Sequence, residues 1–96
     1  MKYNVSITEL AELEIQEYFI DYDEKREGLG EDFENELNQG VEYIGREAQS
    51  IQLRYNNIRI YFLKRFPFGI HFSMSGNEVL IIGVYPMKDN PNRWRG

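Results

Sequence analysis

The residues able to do chemistry in this 96-residue chain are few, and most of them are cations. His71 is the sole histidine, and Arg59, Lys64 and Lys88 place positive charge in the same half of the sequence. Cleavage of a phosphodiester by a neighbouring hydroxyl needs one group to take a proton, one to give a proton, and cations to balance charge growing on the phosphate. On that reading His71, Lys64 and Arg59 are the candidate catalytic residues, with Lys88 a further cation. A lone histidine on a strand is more often a surface or hydrogen-bonded residue than a general base, and Arg59 has a structural reading too, pairing with acids of the helical half. Both readings stand. The missing types exclude more: without cysteine there is no thiolate nucleophile, disulfide framework or Cys-type metal site. One histidine and carboxylates scattered along helices have no ligand spacing suited to zinc, so neither metal nor cofactor is expected. Gly28-Leu29-Gly30 has no third glycine and no preceding strand, and Glu27, Glu31 and Asp32 around it would repel phosphate, so it reads as a turn.

A second constellation is the basic end of the chain. Lys88, Arg93, Trp94 and Arg95 combine cations with a large aromatic, groups that dominate binding surfaces and that also match phosphates and stack on bases. They are the candidate partner-binding residues, with Trp94 alternatively an anchor docking the tail on a sheet. Charge is divided along the chain: residues 1–50 carry fourteen Asp/Glu against four Lys/Arg, and residues 51–96 carry seven Lys/Arg against two Asp/Glu. Acids coating solvated helices would produce this pattern, as would a charged functional face.

The elements that must position these residues follow from periodicity. Tyr3, Val5 and Ile7 alternate with polar residues, the signature of a strand. Thr8 offers a hydroxyl N-cap, with Glu9 and Glu12 in the first turn, and Ala11, Ile15, Tyr18 and Tyr22 mark a helix over about residues 8–24. Leu10, Leu13 and Phe19 are expected to widen its core-facing stripe. A second stripe of Leu29, Phe33, Leu37, Val41 and Ile44 follows the glycine turn, making a helical hairpin. Gly40 inside that helix costs about 1 kcal/mol relative to Ala, which points to close approach of another element. After Gly45 the chain turns β-branched and aromatic in four runs: Ile51 to Tyr55, Ile58 to Phe66, Phe68 to Met74 and Val79 to Tyr85. Ser75-Gly76-Asn77-Glu78 joins the last two as an antiparallel hairpin, Asn56-Asn57 marks a bulge or bend, and Pro67 falls at a corner. Alternation sends Phe68, Ile70, Phe72 and Met74 to one side and Gly69, His71 and Ser73 to a side expected to be less buried. The expected fold is α+β, β-α-α-β-β-β, with the helical hairpin packed on one face of a small antiparallel sheet, in one domain over residues 1–96. With no apolar leader after Met1-Lys2-Tyr3-Asn4 and no membrane span, a cytoplasmic protein is expected.

Those elements, with Gly28-Leu29-Gly30-Glu31-Asp32-Phe33, Ile58-Arg59, Lys64-Arg65-Phe66-Pro67-Phe68-Gly69-Ile70-His71-Phe72 and the ending Asn90-Pro91-Asn92-Arg93-Trp94, resemble the RelE/ParE toxin superfamily of bacterial type II toxin–antitoxin systems. Ala11, Glu14 and Tyr18 sit at the spacing where the family often shows Ala, an acid and an aromatic. The resemblance implies a toxin neutralised by a cognate antitoxin whose flexible C-terminal segment wraps it. RelE-like members cut messenger RNA in the ribosomal A site with clustered Lys and Arg and a Tyr or His, without metal; ParE-like members poison DNA gyrase. Nuclease members commonly present Arg where this chain has Gly69. Many ParE-like chains read Val-aromatic-His-x-Arg-Arg-Asp-Pro, where this chain has Val84-Tyr85-Pro86-Met87-Lys88-Asp89-Asn90-Pro91. The expectation is therefore a ParE-like toxin acting on a target such as DNA gyrase. The alternatives are a RelE-like ribosome-dependent mRNA interferase and an attenuated homologue that only binds antitoxin. Oligomeric state is not legible.

Overall fold

The computed structural model describes residues 2–87. The chain runs β1 (Asn4–Ile7), α1 (Glu9–Lys25), α2 (Leu29–Glu47), a 3-10 turn (Ala48–Ser50), β2 (Leu53–Tyr55), β3 (Ile58–Phe62), β4 (Phe68–Ser75) and β5 (Glu78–Pro86). The strands form one sheet in the order β1-β5-β4-β3-β2. This is the expected α+β architecture, two helices on a mostly antiparallel sheet, with one addition: β1 pairs parallel to β5, Val5 beside Val79 and Ile7 beside Ile81. The other neighbours run antiparallel.

Helix α1 starts where its cap residue places it. The Thr8 hydroxyl accepts the Ala11 N–H at 3.1 Å, and Glu9 and Glu12 occupy the first turn. Ala11 is fully buried, and Ile15, Tyr18 and Tyr22 pack against the core, as their spacing requires. Leu10 and Leu13 correct the sequence reading: they do not widen the core stripe but stand 62% and 50% exposed. Two residues of helix turn the chain through about 200°, so Leu13 points almost opposite to Ala11. Phe19 is half-buried beside α2.

The loop between the helices is closed by Asp23, whose carboxylate accepts the N–H of Gly28 at 3.0 Å and of Gly30 at 3.2 Å. Helix α2 then buries Phe33, Leu37 and Ile44. Gly40 is the close approach expected of it. A Cβ there would lie 2.9 Å from the Tyr61 ring and 3.0 Å from the end of Ile70, so only a glycine lets α2 settle on β3 and β4 at this distance. Phe33 holds the other end. Its ring centroid lies 5.4 Å from those of Tyr22 and Phe68, 5.5 Å from Phe66 and 6.2 Å from Tyr18, mostly tilted or edge-on, the geometry aromatic quadrupoles favour.

In the sheet, Tyr55 pairs with Ile58 across Asn56-Asn57, and the register shifts between Leu53 and Tyr55, so the expected bend is a tight turn with an irregularity beside it. Asn56 takes a φ of 47°, a left-handed conformation that asparagine tolerates. Gly76-Asn77 joins β4 to β5 with Ser75 opposite Glu78, as expected. Pro67 lies in the corner before β4, and its carbonyl accepts the Met87 N–H at 2.7 Å.

Phe33 is fully buried at the centre of this cluster, so Phe33→Ala should lower unfolding free energy by about 3–5 kcal/mol. Thr8→Ala should cost about 1 kcal/mol through the lost cap. Urea denaturation of the two variants checks the ranking.

Candidate outer-face site

The helices cover one face of the sheet, and the residues able to do chemistry are distributed over both. On β4, Phe68, Ile70 and Phe72 face the helices. His71 faces the other way, between Ile60 on β3 and Gly83 on β5. That outer side was expected to be less buried, yet His71 has no accessible surface and Gly69 is buried too. The cover is aromatic. Gly83 has no side chain, and the Tyr85 ring lies directly over it, so a Cβ at Gly83 would fall 2.4 Å from the ring carbon bearing the hydroxyl. The Tyr85 ring meets His71 edge-on at 4.7 Å between centroids. From the far side Tyr55 reaches in from β2, its hydroxyl 2.9 Å from His71 Nδ1.

A β-bulge sets this cluster. Met74 pairs with Val79 and Ser73 with Leu80, but the register shifts between Phe72 and His71, so His71 faces Gly83 instead of Ile82. One extra residue reverses the faces of everything beyond it. Val84 therefore turns inward to full burial while Tyr85 turns outward onto His71. No residue type in the sequence signals that bulge.

Burial disfavours a charged ring and pushes the His71 pKa down to about 4. Tyr55 and Tyr85 are pushed up, each chiefly by burial. At neutral pH the cluster is an uncharged imidazole beside two protonated phenols. Such an imidazole is not in the imidazolium form that serves as a general acid at pH 7, and its Nδ1 is already engaged by Tyr55.

The other candidates lie elsewhere. Arg59 is opposite Phe72, on the helix-facing side of β3, and its guanidinium donates to the carbonyl oxygens of Gln49 (3.2 Å) and Ile51. It pairs with backbone, not with the hairpin acids, and ties the exit of α2 to the sheet. Lys64 is exposed beyond the opposite end of β3, where its backbone N–H and that of Arg65 donate to the Glu36 carboxylate at 2.6 and 2.7 Å. The fold thus does not bring His71, Lys64 and Arg59 together. Gly69, where nuclease members present Arg, is closed to a side chain: a Cβ would come 2.7 Å from a branched methyl of Ile60. Lys88, Arg93, Trp94 and Arg95 lie outside the described residues. The described chain ends beside a groove of about 290 Å³ whose lining includes Tyr18, Asp21, Tyr22, Pro67 and Pro86.

Sequence reasoning named Glu14 only for its family-like spacing with Ala11 and Tyr18 and foresaw no partner for it. Its carboxylate accepts the Val84 N–H at 3.4 Å, and burial pushes its pKa up against the pull of that hydrogen bond. Among the described residues no group of three or more His, Cys, Asp or Glu is placed to hold a metal ion, and no helix is long and apolar enough to cross a membrane.

Because His71 titrates lower folded than unfolded, the unfolded chain binds the extra proton first as pH falls, and stability drops between the two values. The residue should cost about 3 kcal/mol of stability on going from about pH 7 to pH 4. In His71→Gln that dependence should flatten, leaving only the carboxylate background, in denaturation midpoints measured across the range.

No protein-family model matches the sequence, and no curated protein matches it. Among solved structures the chain is similar to one described as the chromosomal ParDE TA system from P. aeruginosa, with a TM-score of 0.79 over 88% of this chain and 96% of that one, at 16% identity. At that identity the likeness is one of fold, the α+β arrangement of two helices on a mostly antiparallel sheet.

Proposed function

We propose that the chain is the toxin of a toxin–antitoxin pair, a ParE-like poison of an essential target such as DNA gyrase, acting in the bacterial cytoplasm and held inactive by a cognate antitoxin. The observation that carries this reading is the fold: almost the whole chain superposes on a component of a ParDE system, at 88% and 96% coverage. The dispersal of Arg59, Lys64 and His71 supports target poisoning over RNA cleavage. One is bound to backbone carbonyls, one is exposed beyond β3, and one is a buried neutral ring. Gly69 adds to this, since Ile60 fills the space an arginine would need. In this reading Lys88, Arg93, Trp94 and Arg95 form the surface that meets target or antitoxin, by charge and by aromatic contact.

Induced expression in bacteria, with and without the neighbouring small gene, tests the proposal while DNA supercoiling and translation are followed separately. Growth arrest with an early supercoiling defect, relieved by the neighbouring gene, is expected. Ribosome-dependent mRNA cleavage that disappears in Lys64→Ala or His71→Ala would establish the RelE-like alternative instead. Neutralising partner binding without toxicity would leave only a binding module. Arg93→Glu with Arg95→Glu should weaken toxicity or antitoxin affinity more than Lys25→Glu with Arg26→Glu, at equal melting temperature.

A further inference from the structure

The connection between β3 and β4, Leu63 to Pro67, is held in shape at both ends and in its middle. The Leu63 N–H donates to the Phe68 carbonyl at 2.9 Å and the Phe68 N–H to the Phe66 carbonyl at 2.8 Å, which closes the loop at its neck. Phe66 anchors it, buried against the rings of Tyr22 and Phe33. Between these fixed points the N–H groups of Lys64 and Arg65 converge on one atom, Oε2 of Glu36 on α2, at 2.6 and 2.7 Å. Successive backbone N–H groups aimed at one oxygen form a concavity for anions, and the short distances are those of charge-assisted hydrogen bonds.

That contact leaves the side chains of the same two residues unused. Lys64 and Arg65 are exposed, and neither forms an ion pair with a carboxylate among the described residues. The Arg65 guanidinium lies over the Phe66 ring, 5.6 Å from its centroid, and not on Glu36. Asp32, one turn before Glu36 on α2, is turned to Arg26 at 4.0 Å. Two N–H donors and two cations thus share one carboxylate, which balances half of their positive charge.

We propose that the Lys64-Arg65 turn is a binding site for a phosphate oxyanion, with the Glu36 carboxylate seated in it as an internal anion. One phosphate oxygen takes the paired N–H groups, and the remaining oxygens meet the Lys64 ammonium and the Arg65 guanidinium, which a carboxylate held from α2 does not satisfy. Both hydrogen bonds to Glu36 are open to solvent, so its side chain can swing away while the neck bonds and Phe66 keep the loop closed. Because Glu36 must leave first, the apparent affinity for phosphate is lowered by the fraction of time it spends in place. The inference uses only this loop and α2, and it does not depend on the toxin reading.

The probes are inorganic phosphate and ADP, titrated into the full chain while the backbone amide resonances of residues 64 and 65 are followed by NMR. Sodium chloride at matched ionic strength is the control for general screening. Phosphate should shift both amides, and Glu36→Ala should lower the half-saturating concentration at least about tenfold, or about 1.4 kcal/mol. Adding Lys64→Ala and Arg65→Ala to that variant should undo the gain. Glu36→Gln keeps an acceptor without the charge and should also bind phosphate more tightly than the parent chain, which covers the case of a Glu36→Ala chain that does not fold. Equal affinity for the two probes identifies free phosphate as sufficient, and tighter binding of ADP identifies a nucleotide as the source; either supports the site. Amides that do not move, that move equally in chloride, or that respond alike in the parent chain and both Glu36 variants would overturn the proposal. Undiminished binding after loss of both cations would do the same.

Discussion

A five-stranded sheet has two faces, and the helices of the described residues cover only one of them. Everything else in the structure follows from how the second face is closed. Burying a strand on both sides requires apolar cover from side chains alone, and the chain does this where β4 is most central. Tyr55 and Tyr85 fold inward from flanking strands over His71, while Gly69 and Gly83 leave the room their neighbours fill. Without Tyr85 over Gly83, backbone and imidazole at the middle of the sheet would meet water. With it, the imidazole is dehydrated, and its proton affinity falls with the loss of solvent.

The helix side obeys the complementary constraint of close packing. Gly40 lets α2 approach β3 and β4, and Phe33 fills the wedge that remains at the other end with rings from α1, β4 and the loop before it. The acids of the hairpin are not merely a solvated coat. Asp23 closes the interhelical loop, Glu36 accepts two N–H groups of the β3–β4 connection, and Glu14 takes the Val84 N–H on the part of β5 beyond its pairing with β1. These backbone donors would otherwise need water or another strand, so the carboxylates act as sheet and loop caps carried on helices.

This division of labour bears on function. Two of the residues with catalytic potential are engaged in architecture, Arg59 with two carbonyls and His71 within the aromatic cover, while Lys64 stays exposed. What the described residues turn outward on the helices is charge and apolar surface.

Local order was legible in the sequence because local rules decide it. Thr8 caps its helix, the stripe of Phe33, Leu37 and Ile44 faces the core, Gly40 marks a close approach, and Gly76-Asn77 turns the last hairpin. Each depends on neighbours within a few residues or on a simple period. The face presented by Leu10 and Leu13 was decided by tertiary structure, since hydrophobicity names residues fit for burial but not which side of a helix the sheet will occupy. The fate of His71 was decided the same way. A bulge between His71 and Phe72 swaps the faces of the second half of β5, and only that long-range register brings Tyr85 and Gly83 opposite the histidine. Alternation predicts which residues share a side within a strand; it carries no information on which residues of another strand will cover them.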